Sequence, residues 1–106
     1  MSTRCTIKIE GVEYVKIYKH FDGYPSATLK WLEDFNKDFT QNRGVDPEYK
    51  FAQLLRSSTR DTEKYNLDDS KYTGWGVVGY YESCGEEYEY TLHNDGAVSY
   101  DDDYKI

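Results

Sequence analysis

From Thr3 to Ile9 apolar and polar positions alternate, with Cys5, Ile7 and Ile9 on one side and Arg4, Thr6 and Lys8 on the other. A period of two marks a half-buried strand. Glu10-Gly11 supplies a turn, after which residues 12–20 alternate again, Val15 and Ile17 against Tyr14, Lys16, Tyr18 and His20. Two such runs around a short turn predict a β-hairpin. The period then lengthens. Pro25 fixes the chain direction, Ser26 or Thr28 is available as a cap, and Leu29, Leu32, Phe35 and Phe39 recur at helical spacing up to Asn42-Arg43-Gly44. Asp46-Pro47 is a cap followed by a first-turn proline, and Phe51, Leu54 and Leu55 give a second helix an apolar stripe to about residue 65. Helices joined by so short a connection are expected to pack as a pair.

Strand-forming residues return after Asp68-Asp69-Ser70, over Trp75–Glu82, Glu86–His93 and Ala97–Tyr104. Ser83-Cys84-Gly85 and Asn94-Asp95-Gly96 between them read as tight hairpin turns. Tyr88, Tyr90 and Leu92 alternate with Glu87, Glu89 and Thr91, the pattern of a sheet with one wet face. The order ββααβββ implies an α+β architecture, an antiparallel sheet of about five strands carrying both helices on one face.

A chain of 106 residues has the size of a single domain, 1–106. Aromatic residues make up 17% of it, including twelve tyrosines, which is foreign to disordered chains and points to tyrosine in the core. The formal charge of −7 argues against a sequence-independent grip on nucleic-acid phosphates and leaves an acidic surface. Cys5 and Cys84 have no nearby cysteine or histidine partner, so thiols in a reducing cytoplasm are expected; a disulfide would require the first strand and the Cys84 turn to meet. No apolar run approaches the roughly 20 residues that cross a bilayer. A soluble, cytoplasmic protein is expected, monomeric or homodimeric, with no membrane partner and no cofactor.

Candidate chemistry concentrates in Tyr18-Lys19-His20-Phe21-Asp22-Gly23-Tyr24-Pro25-Ser26, where the second strand gives way to the first helix. Loops at such junctions carry function disproportionately. From Ile17 to Pro25, with a charged hairpin before and a helix containing Leu29-Lys30-Trp31-Leu32 after, the chain resembles a set of small, mostly uncharacterised prokaryotic and phage-type proteins with a Tyr-Lys/Arg-His-x-Asp-Gly-Tyr-Pro motif. The resemblance implies no activity. In chemical terms His20 and Asp22 suit an imidazole–carboxylate pair in which Asp22 orients His20. In architectural terms Asp22-Gly23 turns the chain, Tyr24 packs on the sheet edge and Pro25 starts the helix, leaving Tyr18 and His20 unexplained.

Two further groups are candidates, beside weaker features with a structural reading. Arg56, Arg60 and Lys64 recur every four residues, as an anion-binding stripe or as a solvated face offset by Asp61 and Glu63. Tyr14, Tyr18, Thr6 and Lys8 are expected on the wet sheet face with Glu87, Glu89 and Thr91, where exposed tyrosines suit a protein interface better than RNA stacking beside so much acid. Gly74-Trp75-Gly76-Val77-Val78-Gly79 lacks the lysine of a phosphate loop and reads as close strand packing. His20, Asp22 and His93 have no metal-site spacing, and Asp101-Asp102-Asp103 reads as a solvated terminus.

Two functional expectations follow. The first is a non-catalytic interaction module, accessory or inhibitory, binding a protein partner through a tyrosine-rich, acidic surface with Tyr14, Tyr18, His20 and Tyr24. The second is a small anion-binding or hydrolytic domain using His20 and Asp22 with Arg56 and Arg60, provided those groups converge on one pocket.

Overall fold

The computed structural model describes residues 3–58 and 74–101. Its elements run β1 (Cys5–Ile9), β2 (Val12–Lys19), α1 (Pro25–Arg43), α2 (Pro47–Arg56), β3 (Trp75–Gly79), β4 (Tyr88–Leu92) and β5 (Val98–Asp101). The α+β class expected from the sequence is present. The predicted continuation of α2 toward residue 65 falls beyond residue 58, outside the described residues, as do Asp102 and Asp103.

β1 and β2 form the predicted hairpin, Ile7 opposite Ile17 and Cys5 opposite Lys19. Gly11 in its turn has φ of 97°, and a Cβ there would lie 2.6 Å from Pro47 Cγ at the start of α2. Both the conformation and the close approach require glycine.

The sheet order is β3-β2-β1-β4-β5, and β1 pairs with β4 in parallel while the other neighbours are antiparallel. The sheet is therefore mixed, which corrects the antiparallel expectation. Its cause is the segment 80–87: Ser83-Cys84-Gly85 does not close a hairpin between β3 and β4, because those strands are not neighbours. β3 lies outside β2, so a chain that is to pair with the open side of β1 must travel back across the sheet. Parallel connections ordinarily use about a dozen residues or more and a helix. Here residues 80–87 do it without a helix, opening with a turn and tied by Tyr80 N–H to Tyr14 carbonyl (3.2 Å) at one end and Glu87 N–H to Arg4 carbonyl (3.0 Å) at the other.

What β4 gains by crossing is the core. In the parallel register Tyr90 sits beside Ile7 and Leu92 beside Ile9, and all four are fully or almost fully buried with Cys5, Val12, Ile17, Leu32, Leu54 and Trp75. β5 returns by the Asn94-Asp95-Gly96 hairpin, Val98 opposite Leu92. Both helices lie on this apolar face.

α1 buries Thr28, Leu32, Asn36 and Phe39, and its edge residues Leu29, Trp31 and Phe35 pack against the core. Its N-cap is Tyr24, which makes no side-chain cap bond, rather than Ser26 or Thr28; the Thr28 hydroxyl donates instead to the Asp22 carbonyl. Pro25 occupies the first turn and Gly44 closes the other end with its N–H on the Thr40 carbonyl. In α2, Pro47 starts the helix, while the Asp46 carboxylate pairs with Arg43 (3.2 Å) and makes no cap bond. The helices meet at Phe39 and Tyr49, ring centroids 6.1 Å apart, over which Arg43 stacks 4.0 Å from the Tyr49 ring.

A fully buried amide joins α1 to the β4–β5 hairpin: Asn36 Nδ2 donates to the carbonyls of His93 (3.0 Å) and Ala97 (2.9 Å). Replacing Asn36 by Ala removes both of these bonds, although the His93 carbonyl keeps the Gly96 N–H (3.2 Å) and the Ala97 carbonyl keeps the His93 N–H (2.9 Å). The expected loss is about 2–3 kcal/mol in equilibrium urea unfolding, with an unchanged fold by circular dichroism.

Candidate functional site

The face of the sheet opposite the helices carries the polar half of each alternation. On β1 these are Thr6 and Lys8, on β2 Tyr14, Lys16 and Tyr18, on β4 Glu89 and Thr91, and the registers set Thr6 beside Tyr18 and Glu89. Alternation groups them correctly, but the wet face it predicts is partly covered, leaving Tyr14 exposed and other members out of water. Segment 80–87 crosses this face, so that Thr6, Lys16, Glu86 and Glu89 are buried.

Burial of four polar groups demands mutual satisfaction. One Glu89 carboxylate oxygen accepts from both Lys16 Nζ and the Thr6 hydroxyl at 2.8 Å, and the other lies 3.0 Å from Lys8 Nζ. Glu86 belongs to the crossing segment; its Oε2 accepts the Cys84 N–H (2.6 Å) and its Oε1, 3.9 Å from Lys16 Nζ, has no hydrogen-bond donor. Two ammonium groups thus balance two carboxylates. Lys8 also lies 4.2 Å from the centre of the Tyr80 ring, tying the start of the crossing segment to β1.

Cys84 and Tyr18 border this network. Burial, reinforced by Glu86, pushes the Cys84 thiol above its usual range, which disfavours the reactive thiolate. Cys5 faces the helix side with Ile7, and no disulfide joins it to Cys84. Burial likewise raises the Tyr18 hydroxyl, against a lowering by Arg4.

The motif between β2 and α1 lies at the edge of the same face. The Tyr18 hydroxyl is 2.7 Å from His20 Nδ1, and the His20 ring meets Phe21 edge-on at 4.8 Å. Lys19 points the other way, is buried, and donates to the Phe21 carbonyl. Asp22 adopts φ of 53°, a left-handed conformation that aspartate tolerates better than most residues. Gly23 presses against β1: a Cβ there would lie 2.8 Å from Cys5 Cβ and 2.9 Å from the Arg4 carbonyl carbon. Its N–H donates to the Thr3 carbonyl (2.8 Å) and its carbonyl accepts the Tyr90 hydroxyl (2.6 Å), so β1 and β4 both grip this residue.

The remaining sequence candidates are dispersed. Arg56 ends α2, which packs on the face of the sheet opposite Tyr18 and His20, so the sheet separates it from the histidine. Arg60 and Lys64, like Asp61 and Glu63, lie outside the described residues. His93 follows β4 at the far end of the sheet from His20, with Nε2 2.7 Å from the Ser99 hydroxyl, and among the described residues no three metal-ligating side chains gather. No helix of the described residues is long and apolar enough to cross a membrane. Tyr24 is partly exposed at the start of α1.

Tyr80 and Tyr81 enter the site unannounced by any local signal. Tyr80 pairs with Tyr14 beyond the end of β3, and its ring meets the Tyr81 ring edge-on at 5.0 Å. Tyr14 is 68% and Tyr81 89% exposed. Glu10 and Glu13 flank the cleft between Lys8, Tyr80 and His93, and Glu82 follows Tyr81. The result is an aromatic cluster with an acidic rim.

No family model, curated protein or solved structure matches the chain.

Two measurements test this description. Glu89→Ala strands Lys16 in a buried setting and should cost about 3–5 kcal/mol in urea unfolding, whereas Glu89→Leu combined with Lys16→Met should recover most of that loss. A double-variant loss equal to the sum of the losses of Glu89→Leu and Lys16→Met made singly would show that the pair is not coupled. The second concerns Tyr90, whose hydroxyl burial holds far above the ordinary tyrosine value of 10.0. Above that pH the unfolded chain releases a proton that the folded chain keeps, so stability falls as pH rises, by about 1.4 kcal/mol per pH unit for this group. Tyr90→Phe should be less stable at neutral pH yet lose stability less steeply in alkaline urea melts.

Proposed function

We propose that this chain is a non-catalytic binding module that presents the Tyr14–Tyr80–Tyr81 cluster and its acidic rim to a basic surface of a protein partner. The observation that carries the reading is the exposure of Tyr14 and Tyr81 around the partly covered Tyr80. A tyrosine ring brings large contact area at low entropic cost, and aromatic anchors with a polar rim are the usual composition of a binding hot spot. Tyr80 is held by Lys8 and by its own strand pairing, so the cluster is ordered before a partner arrives.

Charge supplies the partner's chemistry. Glu10, Glu13 and Glu82 add local carboxylates to a chain of net charge −7, which steers a cationic surface toward the site and disfavours phosphate backbones. The buried Lys16–Glu89 network does not contact solvent directly and serves to hold the crossing segment that carries Tyr80 and Tyr81.

Photo-crosslinking in the native host tests the reading. A benzophenone side chain at position 81 or 14 should capture the same protein, at a yield that falls with added salt, while one at Tyr49 on the helix side should not. Tyr14→Ala with Tyr81→Ala should then weaken the purified complex by about tenfold or more. Adducts that are the same at all three positions, or none, would overturn it.

A further inference from the structure

β3 forms one edge of the described sheet, and its backbone polarity can be read from its ends. Val15 pairs with Gly79 and Lys19 with Trp75, so the register continues to Tyr14 opposite Tyr80 and His20 opposite Gly74. Tyr80 N–H donates to the Tyr14 carbonyl and His20 N–H to the Gly74 carbonyl (2.7 Å). Even-numbered residues therefore spend their N–H and C=O on β2, and the odd-numbered ones turn theirs outward. The Gly79 carbonyl is taken by Glu82 N–H (3.0 Å). Val77 retains both groups, with no partner among the described residues, and its side chain is 49% exposed.

Edges of this kind are normally guarded by charge, proline, a bulge or shortness. β5 is short and ends in Asp101. β3, at five residues, is little longer, but among the described residues it lacks the chemical guards: Gly74-Trp75-Gly76-Val77-Val78-Gly79-Tyr80-Tyr81 contains no charged residue and no proline, in a chain that is 31% charged. Its pairing with β2 is regular throughout. A Cβ at Gly76 would meet nothing within 4 Å, so the surface beside Val77 has room for an incoming side chain.

We propose that the outer edge of β3 takes up an extended, cationic segment of the partner protein as an added strand. The inference rests on the reading of Tyr14 and Tyr81 as a contact surface and specifies how the partner enters it, since Tyr80 and Tyr81 continue directly from β3. Main-chain bonds at Val77 supply affinity, as in other strand-addition complexes. Carboxylates supply selectivity. Glu82 folds back on Gly79, its Oε1 3.0 Å from where a Cβ would lie, and Glu13 stands two positions before Val15, the partner of Gly79, so the end of the edge is acidic. A second copy of the chain would bring the same carboxylates and the same net charge against itself, whereas a lysine- or arginine-bearing strand meets complementary charge.

Short random peptides displayed on phage and selected on the full chain provide the probe, with selected sequences then synthesised and titrated. The expected result is enrichment of peptides in which lysine or arginine accompanies β-branched or aromatic residues. Their affinity should drop about tenfold or more with Val77→Lys, with Val77→Pro, or when alternate peptide amides are N-methylated. Circular dichroism and thermal melts check the variants, and Val77→Lys with the methylated peptides decides the matter if Val77→Pro does not fold. Enrichment of no basic extended peptide, or undiminished binding to folded Val77→Lys, overturns the proposal. So does a wild-type dimer in sedimentation that Val77→Lys dissociates, because a second copy then occupies the edge. Loss of binding on Tyr14→Ala with Tyr81→Ala, but not on Val77→Lys, overturns strand addition and keeps the tyrosine surface; the reverse keeps strand addition and removes the tyrosines.

Discussion

Glu89 is where the sheet, its uncovered face and the crossing segment are joined. Its two carboxylate oxygens receive Thr6 and Lys8 from β1 and Lys16 from β2, so three adjacent strands meet on one side chain. That meeting requires β4 to lie against β1, which in turn requires residues 80–87 to cross the sheet. The crossing segment then covers the ions and removes them from water, and in low dielectric an ammonium without its carboxylate is costly. Topology and electrostatics thus support each other here. A hairpin between β3 and β4 would leave Lys16 facing solvent and the outer side of β1 unpaired.

The other face is secured by conventional means, with one polar link of its own. Tyr90 fills the core beside Ile7 and uses its hydroxyl to hold the Gly23 carbonyl, while Gly23 is close enough to Cys5 that no side chain fits. The loop carrying Tyr18 through Ser26 is therefore anchored by β1 and β4 before α1 begins. Asp22 contributes a backbone bend and a carbonyl for Thr28, and Pro25 contributes helix initiation. His20 is held by Tyr18 at the rim of the sheet, and α2 with Arg56 lies on the other side.

The two faces consequently do different work. The helix side closes a core, whereas the crossed side buries Lys16, Glu86 and Glu89 and leaves Tyr14 and Tyr81 outside, at the end where β3 passes into Tyr80 and Tyr81. An ordered aromatic cluster next to a strand edge that carries neither charge nor proline, both in an acidic setting, is the combination on which the proposed uptake of a chain segment rests.

Local physics was legible in the chain. Alternation fixed which side chains of β1, β2 and β4 share a face; helical spacing marked Leu32, Phe39 and Leu54 as core; Gly11, Pro25, Gly44 and Pro47 marked the ends of elements. These features depend on neighbours within a few residues, so a single sequence carries them. Pairing partners depend on residues far apart, and here the sequence pointed elsewhere: Ser83-Cys84-Gly85 has the composition of a hairpin turn, yet β4 pairs with β1, where Tyr90 is buried in the core beside Ile7. From that one choice came the parallel pair, the burial of Lys16, Glu86 and Glu89, and the exposure of Tyr81. Alternation says that Lys16 and Glu89 leave the core; only the path of residues 80–87 decides that they do not reach water.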